Sequence, residues 1–185
     1  MRLSALAAFT ALAVVTSTGI EAQVSPYAGQ QTREIKALSA QEIDGLLNAR
    51  GMALAKAAEL NGYPGPLHAI ELAADLSLTA DQLRAVKDIK ARVEAAAIPI
   101  GAEIVAAERE LDQLFVNGAI TKPQLDAIMA KLGALQGRLR GVHLAAHLET
   151  KALLNAHQIS RYDQLRGYTS AGGAPAHDPA KRHGG

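Results

Sequence analysis

The stretch that decides the fold is residues 79–114, which reads TADQLRAVKDIKARVEAAAIPIGAEIVAAERELDQL. Its apolar residues recur at steps of three and four, a period typical of the packed face of a long α-helix. They are Leu83, Val86, Ile89, Val93, Ala97, Ile100, Ile104, Ala107, Leu111 and Leu114. Pro99 lies inside this run, where it removes one backbone hydrogen bond and crowds the preceding turn. We therefore predict a long helix that bends near Pro99.

A second apolar seam of the same period follows in residues 125–153. It comprises Leu125, Ile128, Leu132, Leu135, Leu139, Val142, Ala146 and Leu153. Asn117 and Gly118 are typical of a helix end, whereas Thr121 and Pro123 are typical of a helix start. Because the connection between the seams is so short, the two helices must be antiparallel neighbours. The sequence predicts an all-α fold built on a long antiparallel helical hairpin.

Four capping boxes mark the predicted helix starts. In each box a small polar residue precedes Gln or Glu by three positions, so that each side chain can bond the other's backbone N–H. The pairs are Ser39 with Glu42, Thr79 with Gln82, Thr121 with Gln124, and Asn155 with Gln158. Two of the boxes predict shorter helices, one over 41–60 and one after Asn155. The GYPGP break at 62–66 indicates that another short helix begins at residue 66 and runs to about 76.

Composition and charge exclude several classes of function. The 185-residue chain has no Cys, which removes disulfides, thiol catalysis and iron–sulfur clusters. Its 19 basic and 18 acidic residues give a net charge of +1, which is too small to collect nucleic acid. No GxSxG elbow, Walker loop or GxGxxG motif is present. We therefore expect a protein that is not an enzyme, has no catalytic residue and does not bind nucleic acid.

The chain begins with the layout of a secretory signal. Arg2 precedes an uncharged apolar run over 3–15 and then small polar residues. The run is shorter than the ~20 residues that a membrane-spanning helix needs. We predict a signal peptide over 1–22, cleaved near Ala22, with an uncleaved anchor as the alternative. A flexible segment over 23–38, a helical domain over 39–168 and a disordered tail over 169–185 are expected to follow.

Candidate metal ligands are histidines and carboxylates. His143 and His147 are four residues apart, so both rings project from one helix face and can share an ion. Leu144 occupies the position of the catalytic Glu in HExxH, so a hydrolytic zinc site is not expected. His68 and Glu71, three apart at the start of the short helix, are further candidate ligands, and the others weighed are Glu94 and Met52. Such a site would suit Zn, Ni, Co or Cu(II), unless the imidazoles simply flank the apolar seam.

Two five-residue motifs carry a family resemblance. LTADQ over 78–82 and LNAHQ over 154–158 resemble the paired LTxxQ motifs of the Spy/CpxP family of small exported helical proteins. The segments GYPGP with His68, and VHLAAHL over 142–148, are more similar to its periplasmic heavy-metal-sensor branch. The resemblance implies a periplasmic protein, a cradle-shaped homodimer and a response to envelope stress.

The family resemblance leaves more than one function open. The leading expectation is a stress- or metal-responsive protein that binds a divalent transition metal through His143, His147, His68 and Glu71. The alternative needs no metal: an ATP-independent holding chaperone for unfolded client proteins, or a regulator of a membrane sensor kinase or anti-sigma factor.

Overall fold

The computed structural model describes residues 24–168. The predicted signal peptide over 1–22 and the predicted tail over 169–185 lie outside the described residues. The described residues fall into two units, 24–31 and 32–168. In the first unit, residues 24–31 form turns and the start of a short 3₁₀-helix at Gln30–Thr32. The second unit carries all the α-helices described here.

The described residues of the second unit contain six α-helices and no β-strand. The helices are α1 (Ala40–Leu47), α2 (Lys56–Glu59), α3 (Pro66–Glu71), α4 (Ala80–Val116), α5 (Lys122–Leu153) and α6 (Ala156–Leu165). The two long helices, α4 and α5, pack against each other, and α1 and α3 pack on α4. The expectation of an all-helical fold around a long helical pair is confirmed. No helix within 24–168 combines the length and apolarity that a membrane crossing requires.

The predicted seams form the contact between α4 and α5. The contiguous apolar cluster contains Ala97, Ile100, Ile104, Val105 and Ala107 from α4, and Ile128, Leu132, Leu135 and Leu139 from α5. Leu46 of α1 also belongs to this cluster. Since each buried Leu or Ile side chain contributes about 1.5–3 kcal/mol, these narrow seams supply most of the stabilising apolar burial. Pro99 lies within α4, which continues through it as one helix.

All four predicted capping boxes are confirmed at the starts of α1, α4, α5 and α6. At α4, the Gln82 N–H donates to Thr79 Oγ1 at 3.1 Å, and the Thr79 N–H donates back to Gln82 Oε1 at 3.0 Å. At α5, the Thr121 N–H donates to Gln124 Oε1 at 2.9 Å. Local hydrogen bonding therefore determines where each of these helices begins.

The single helix predicted over 41–60 is wrong. The structure divides it into α1 and α2, joined by residues 48–55, in which Ala49, Met52 and Ala53 have positive φ. The reason lies in close packing, because a Cβ at Gly101 of α4 would overlap the Leu46 carbonyl group. The end of α1 therefore packs directly on the backbone of α4, and the chain leaves the helix at Asn48.

Two other boundaries differ from the expectations. The short helix predicted over 66–76 ends at Glu71, and residues 72–77 continue as turns. In the segment predicted to be flexible, Ile35 is 1% exposed and belongs to the core cluster. Lys36 and Asp112 form an ion pair at 3.0 Å nearby. Residues 32–38 thus extend the helical domain, because an isoleucine in this segment completes the core.

Candidate metal centre

A cavity of about 690 Å³ lies beside the segment that joins α1, α2 and α3. Its polar lining includes Glu59, His68, Lys90, Glu94, His143, His147, Arg166 and Tyr168. Three of the four predicted ligands, all of them histidines, therefore line one cavity although they come from α3 and α5. Imidazole nitrogens are common ligands of transition metals.

His147 is held on α5 with one ring nitrogen already engaged. Its Nδ1 lies 2.7 Å from the backbone carbonyl oxygen of Tyr63, and the side chain is only 11% exposed. A carbonyl can only accept a hydrogen bond, so Nδ1 carries a proton, and in the neutral form of the ring Nε2 carries the lone pair. Metal-binding histidines commonly have this second-shell arrangement, in which Nδ1–H donates to a backbone carbonyl and Nε2 points at the ion.

His143 lies one turn before His147 and is 7% exposed. Its Nε2 is buried without a hydrogen-bond partner among the described residues, an arrangement that is costly for a polar atom. Burial, assisted by the neighbouring His147, lowers the pKa of His143. The ring is therefore neutral near pH 7, which is the state that can donate a lone pair to a metal. Two imidazoles that only flanked the apolar seam would keep their ring edges in water. His143 and His147 are buried more deeply than that, at 7% and 9% exposed.

His68 reaches the cavity from α3, and Glu71 fixes its tautomer. Nδ1 of His68 lies 2.8 Å from Glu71 Oε2, so Nδ1 carries the proton and Nε2 is left for other contacts. Glu71 itself does not line the cavity. In this arrangement the carboxylate orients the His68 ring. Direct contact between Glu71 and an ion stays a prediction.

Glu59 of α2 is a site residue that sequence analysis missed. Its side chain is 13% exposed, and its Oε1 accepts hydrogen bonds from Tyr162 at 2.6 Å, Tyr168 at 2.9 Å and Arg166 at 3.3 Å. Its Oε2 lies 3.6 Å from His147 Nδ1. One signal could have revealed it: two of the four tyrosines in the chain lie within seven residues of each other beside an arginine, a cluster suited to a buried carboxylate.

The remaining candidates are engaged differently. Glu94 lines the cavity but pairs with Lys90 of its own helix. Met52 also lines the cavity and is 39% exposed. Between residues 24 and 168, no three His, Asp or Glu side chains are close enough together to hold a metal as they stand. A metal at this position would therefore have to draw its ligands inward.

Comparisons with known families, with curated proteins and with solved structures found no match to this chain. The geometry of the cavity and the residues that line it are therefore the grounds on which a function can be argued.

Proposed function

We propose that this chain is an exported, metal-responsive protein of the Spy/CpxP type. In this proposal a divalent transition metal binds in the cavity through His143 and His147 of α5, together with His68 of α3. Glu71 holds the His68 ring in the tautomer that presents Nε2. The protein acts in the periplasm after cleavage near Ala22, and it has no catalytic role.

One observation carries the proposal: three imidazoles from two different elements line a single cavity. Two of them, His68 and His147, have Nδ1 engaged by oxygen atoms, and the third, His143, has a buried Nε2 without a partner. A metal ion would satisfy that buried nitrogen, which otherwise costs about 1–3 kcal/mol as an unsatisfied polar group. The absence of Cys leaves imidazole and carboxylate as the available strong donors.

The separation of the ligands supports a sensing role. Because no three of the candidate side chains between 24 and 168 are assembled as they stand, binding has to move at least one of them. His68 is on the short helix α3, which is held at its N-terminal end by Pro66 and is only six residues long. Binding would therefore draw α3 towards α5 and change the surface that a partner meets.

The donor set does not select a single ion. Imidazole nitrogens accept Zn, Ni, Co and Cu(II), and the usual affinity order favours Cu(II) in a competition with equal concentrations. We propose that the signalling partner is the periplasmic domain of a membrane sensor kinase or an anti-sigma factor. We further propose that the paired helices form an antiparallel hairpin and that two copies form a cradle, because the thin seams would gain from additional packing.

The test is a calorimetric titration of residues 23–185, without a His tag, using Zn, Ni, Co and Cu(II). We expect one ion per chain, and we expect that His143→Ala/His147→Ala weakens binding by about a hundredfold or more. His157→Ala is the matched control, because His157 is exposed on α6 and lies outside the cavity. Equal, weak binding by the wild type and the double variant would refute the proposal.

A holding chaperone that needs no metal is the second candidate. It is favoured by exposed apolar side chains around the same cavity, where Met52, Leu60 and Leu67 are 39%, 52% and 46% exposed. An unfolded client could bury its own apolar residues there. This function predicts that the protein suppresses aggregation of unrelated clients in the presence of EDTA, and that Leu60→Ser/Leu67→Ser reduces the suppression. No suppression at equimolar protein would exclude it.

A further inference from the structure

A second cavity, of about 750 Å³, is lined by residues of α1, α4 and α5 and of the segment that joins α1 to α2. Its volume falls in the range of small-molecule sites in proteins. Met52 is the one residue that lines both this cavity and the cavity of the candidate metal centre. A ligand in the second cavity would therefore go beyond the proposed function.

The wall of this second cavity is mainly apolar. Leu46, Ile104 and Leu139 are buried core residues that reach it, and a ligand that covers their edges would remove apolar surface from water. Gly133 and Gly137 of α5 also line it, and a Cβ at either position would meet nothing within 4 Å. The backbone of α5 is therefore open to a ligand at this wall.

Two opposite charges are separated along the cavity. Lys131 contacts Glu110 at 3.3 Å, which places the neighbouring Glu108 at the level of residues 131–133 of α5. Arg140 comes seven residues after Gly133, about 10 Å further along the helix axis. Neither Glu108 nor Arg140 has an ion-pair partner within residues 24–168. Burial raises the pKa of Glu108, as expected for a carboxyl group that lacks a cation.

Two side-chain amides lie between these elements without partners. Gln41 of α1 and Gln136 of α5 line the cavity, and neither makes a hydrogen bond within the described part of the chain. A carboxamide offers one N–H donor group and one carbonyl acceptor, which is the complement of a peptide group. The third carboxylate of the lining, Glu42, is already engaged by the N–H and hydroxyl of Ser39.

We propose that this cavity binds a short apolar peptide with free termini. The terminal ammonium group lies at Glu108, the terminal carboxylate at Arg140, and the peptide groups at Gln41 and Gln136. Three extended residues span about 10 Å, which matches the separation of the two charges. The guanidinium can hold the carboxylate through two parallel hydrogen bonds. Peptides of this kind are products of proteolysis, so a peptidase reaction would supply the ligand.

The experiment is a calorimetric titration of residues 23–185 in EDTA with the tripeptide leucyl-valyl-leucine and with its C-terminal amide. We expect the amide to bind the wild type about tenfold or more weakly, because it lacks the anionic end. Arg140→Gln should weaken binding of the free tripeptide by the same factor and leave binding of the amide unchanged. Arg138→Gln is the matched control, since Arg138 is exposed on the same helix and does not line the cavity.

Two further variants test the other end and the wall. Glu108→Gln should weaken binding of the free tripeptide but not of its N-acetylated form, and Glu103→Gln is the matched control, exposed on α4 outside the cavity. Gly137→Leu fills the cavity from α5 and should abolish binding of the tripeptide. Gly141→Leu is its control, because a Cβ there also meets nothing within 4 Å and Gly141 does not line the cavity.

The outcomes decide the proposal without reference to the metal, because EDTA is present throughout. Weaker binding by Arg140→Gln, Glu108→Gln and Gly137→Leu, with unaffected controls, supports it. No binding of the tripeptide to the wild type at millimolar concentration overturns it. Equal affinity for the free tripeptide and for its N-acetylated amide also overturns it, since that result would indicate a site for internal segments of a longer chain. If Gly137→Leu does not fold, as judged by circular dichroism, the Arg140→Gln comparison decides.

Discussion

Replacing Gln158 with leucine tests the contribution of the Gln82–Gln158 amide pair, which joins the starts of α4 and α6. Gln158 is 5% exposed, and its amide pairs reciprocally with that of Gln82, with both N···O distances at 3.0 Å. Gln158 Nε2 also donates to the Leu76 carbonyl at 3.3 Å, and Gln158 Oε1 accepts from the Asn155 N–H at 3.0 Å. The same two glutamines close the capping boxes of their helices, so one substitution disturbs local and tertiary bonding together.

The expected cost can be worked out from these bonds. Leucine cannot make the four hydrogen bonds of the Gln158 side chain, and each contributes about 0.5–1.5 kcal/mol, with the lower values for groups that water can reach. We take a loss of about 3 kcal/mol, which burial of the leucine methyl groups offsets by about 1 kcal/mol. The net destabilisation of about 2 kcal/mol corresponds to a decrease in Tm of about 4–8 °C.

The assay is urea unfolding of the metal-free protein, monitored by circular dichroism at 222 nm. Gln164→Leu is the matched control, because Gln164 is exposed on the same helix. In a double-mutant cycle, Gln158→Leu and Gln82→Leu should together cost less than the sum of their separate effects, since either one already breaks the amide pair. The role of the amide pair would be refuted if Gln158→Leu lowered the unfolding free energy no more than Gln164→Leu, or if the effects of Gln158→Leu and Gln82→Leu were strictly additive.

Three other predictions follow from the structure. Gly101→Ala should destabilise the protein by about 3 kcal/mol or more, because the new Cβ would overlap the backbone of α1. Gly137→Ala should stabilise the protein by about 0.5–1 kcal/mol, because its Cβ meets nothing within 4 Å and alanine favours the helix. Thermal unfolding measures both effects. Hydrogen bonding to Lys36 lowers the pKa of Asp112 in the folded protein below its ordinary value of 3.8. The contact therefore stabilises the fold fully at pH values above 3.8, and this stabilisation is lost as the pH falls through the lower pKa of the folded state. The difference in unfolding free energy between the wild type and Lys36→Met should therefore be present at neutral pH and vanish in strong acid, and a constant difference would contradict this. Zn at one hundred times its dissociation constant should raise the unfolding free energy by about 2.7 kcal/mol, and EDTA should reverse the effect in a thermal melt.

The helix starts and the paired seams could be predicted because they depend on local chemistry. A capping box needs only residues three apart, and an apolar seam needs only a period of three to four residues. The division of 41–60 into α1 and α2 could not be predicted in the same way. It depends on contact between the Leu46 carbonyl and Gly101, which are 55 residues apart and whose distance no local pattern reveals. Ile35 entered the core for a similar reason, since tertiary packing can order a segment whose local sequence is weakly structured.

The residues of the candidate site also differ in whether local spacing or long-range packing brings them together. His143 and His147 could be found from sequence because their proximity follows from one turn of helix. Their meeting with His68 in one cavity depends on how α3 packs, and the position of Glu59 depends on three donors from residues 162–168. Glu71 stays a predicted ligand, since spacing alone does not distinguish a carboxylate that touches an ion from one that orients an imidazole.

The buried contacts of the helical domain differ in kind along the two long helices. The contiguous apolar cluster ends at Ala97 on α4 and at Leu139 on α5, and the two histidines of α5 come directly after it. Beyond that limit, other apolar residues are buried, among them Ala69, Val86 and Ile89, and polar groups contribute further contacts, among them the Gln82–Gln158 amides between α4 and α6. Each hydrogen-bonded contact contributes little net free energy, so we expect the amide contacts between α4 and α6 to open more readily than the apolar cluster. The ion of the proposed function would join α3 to α5 at this end of the domain, and its differential binding to two arrangements of α3 is what a switch requires.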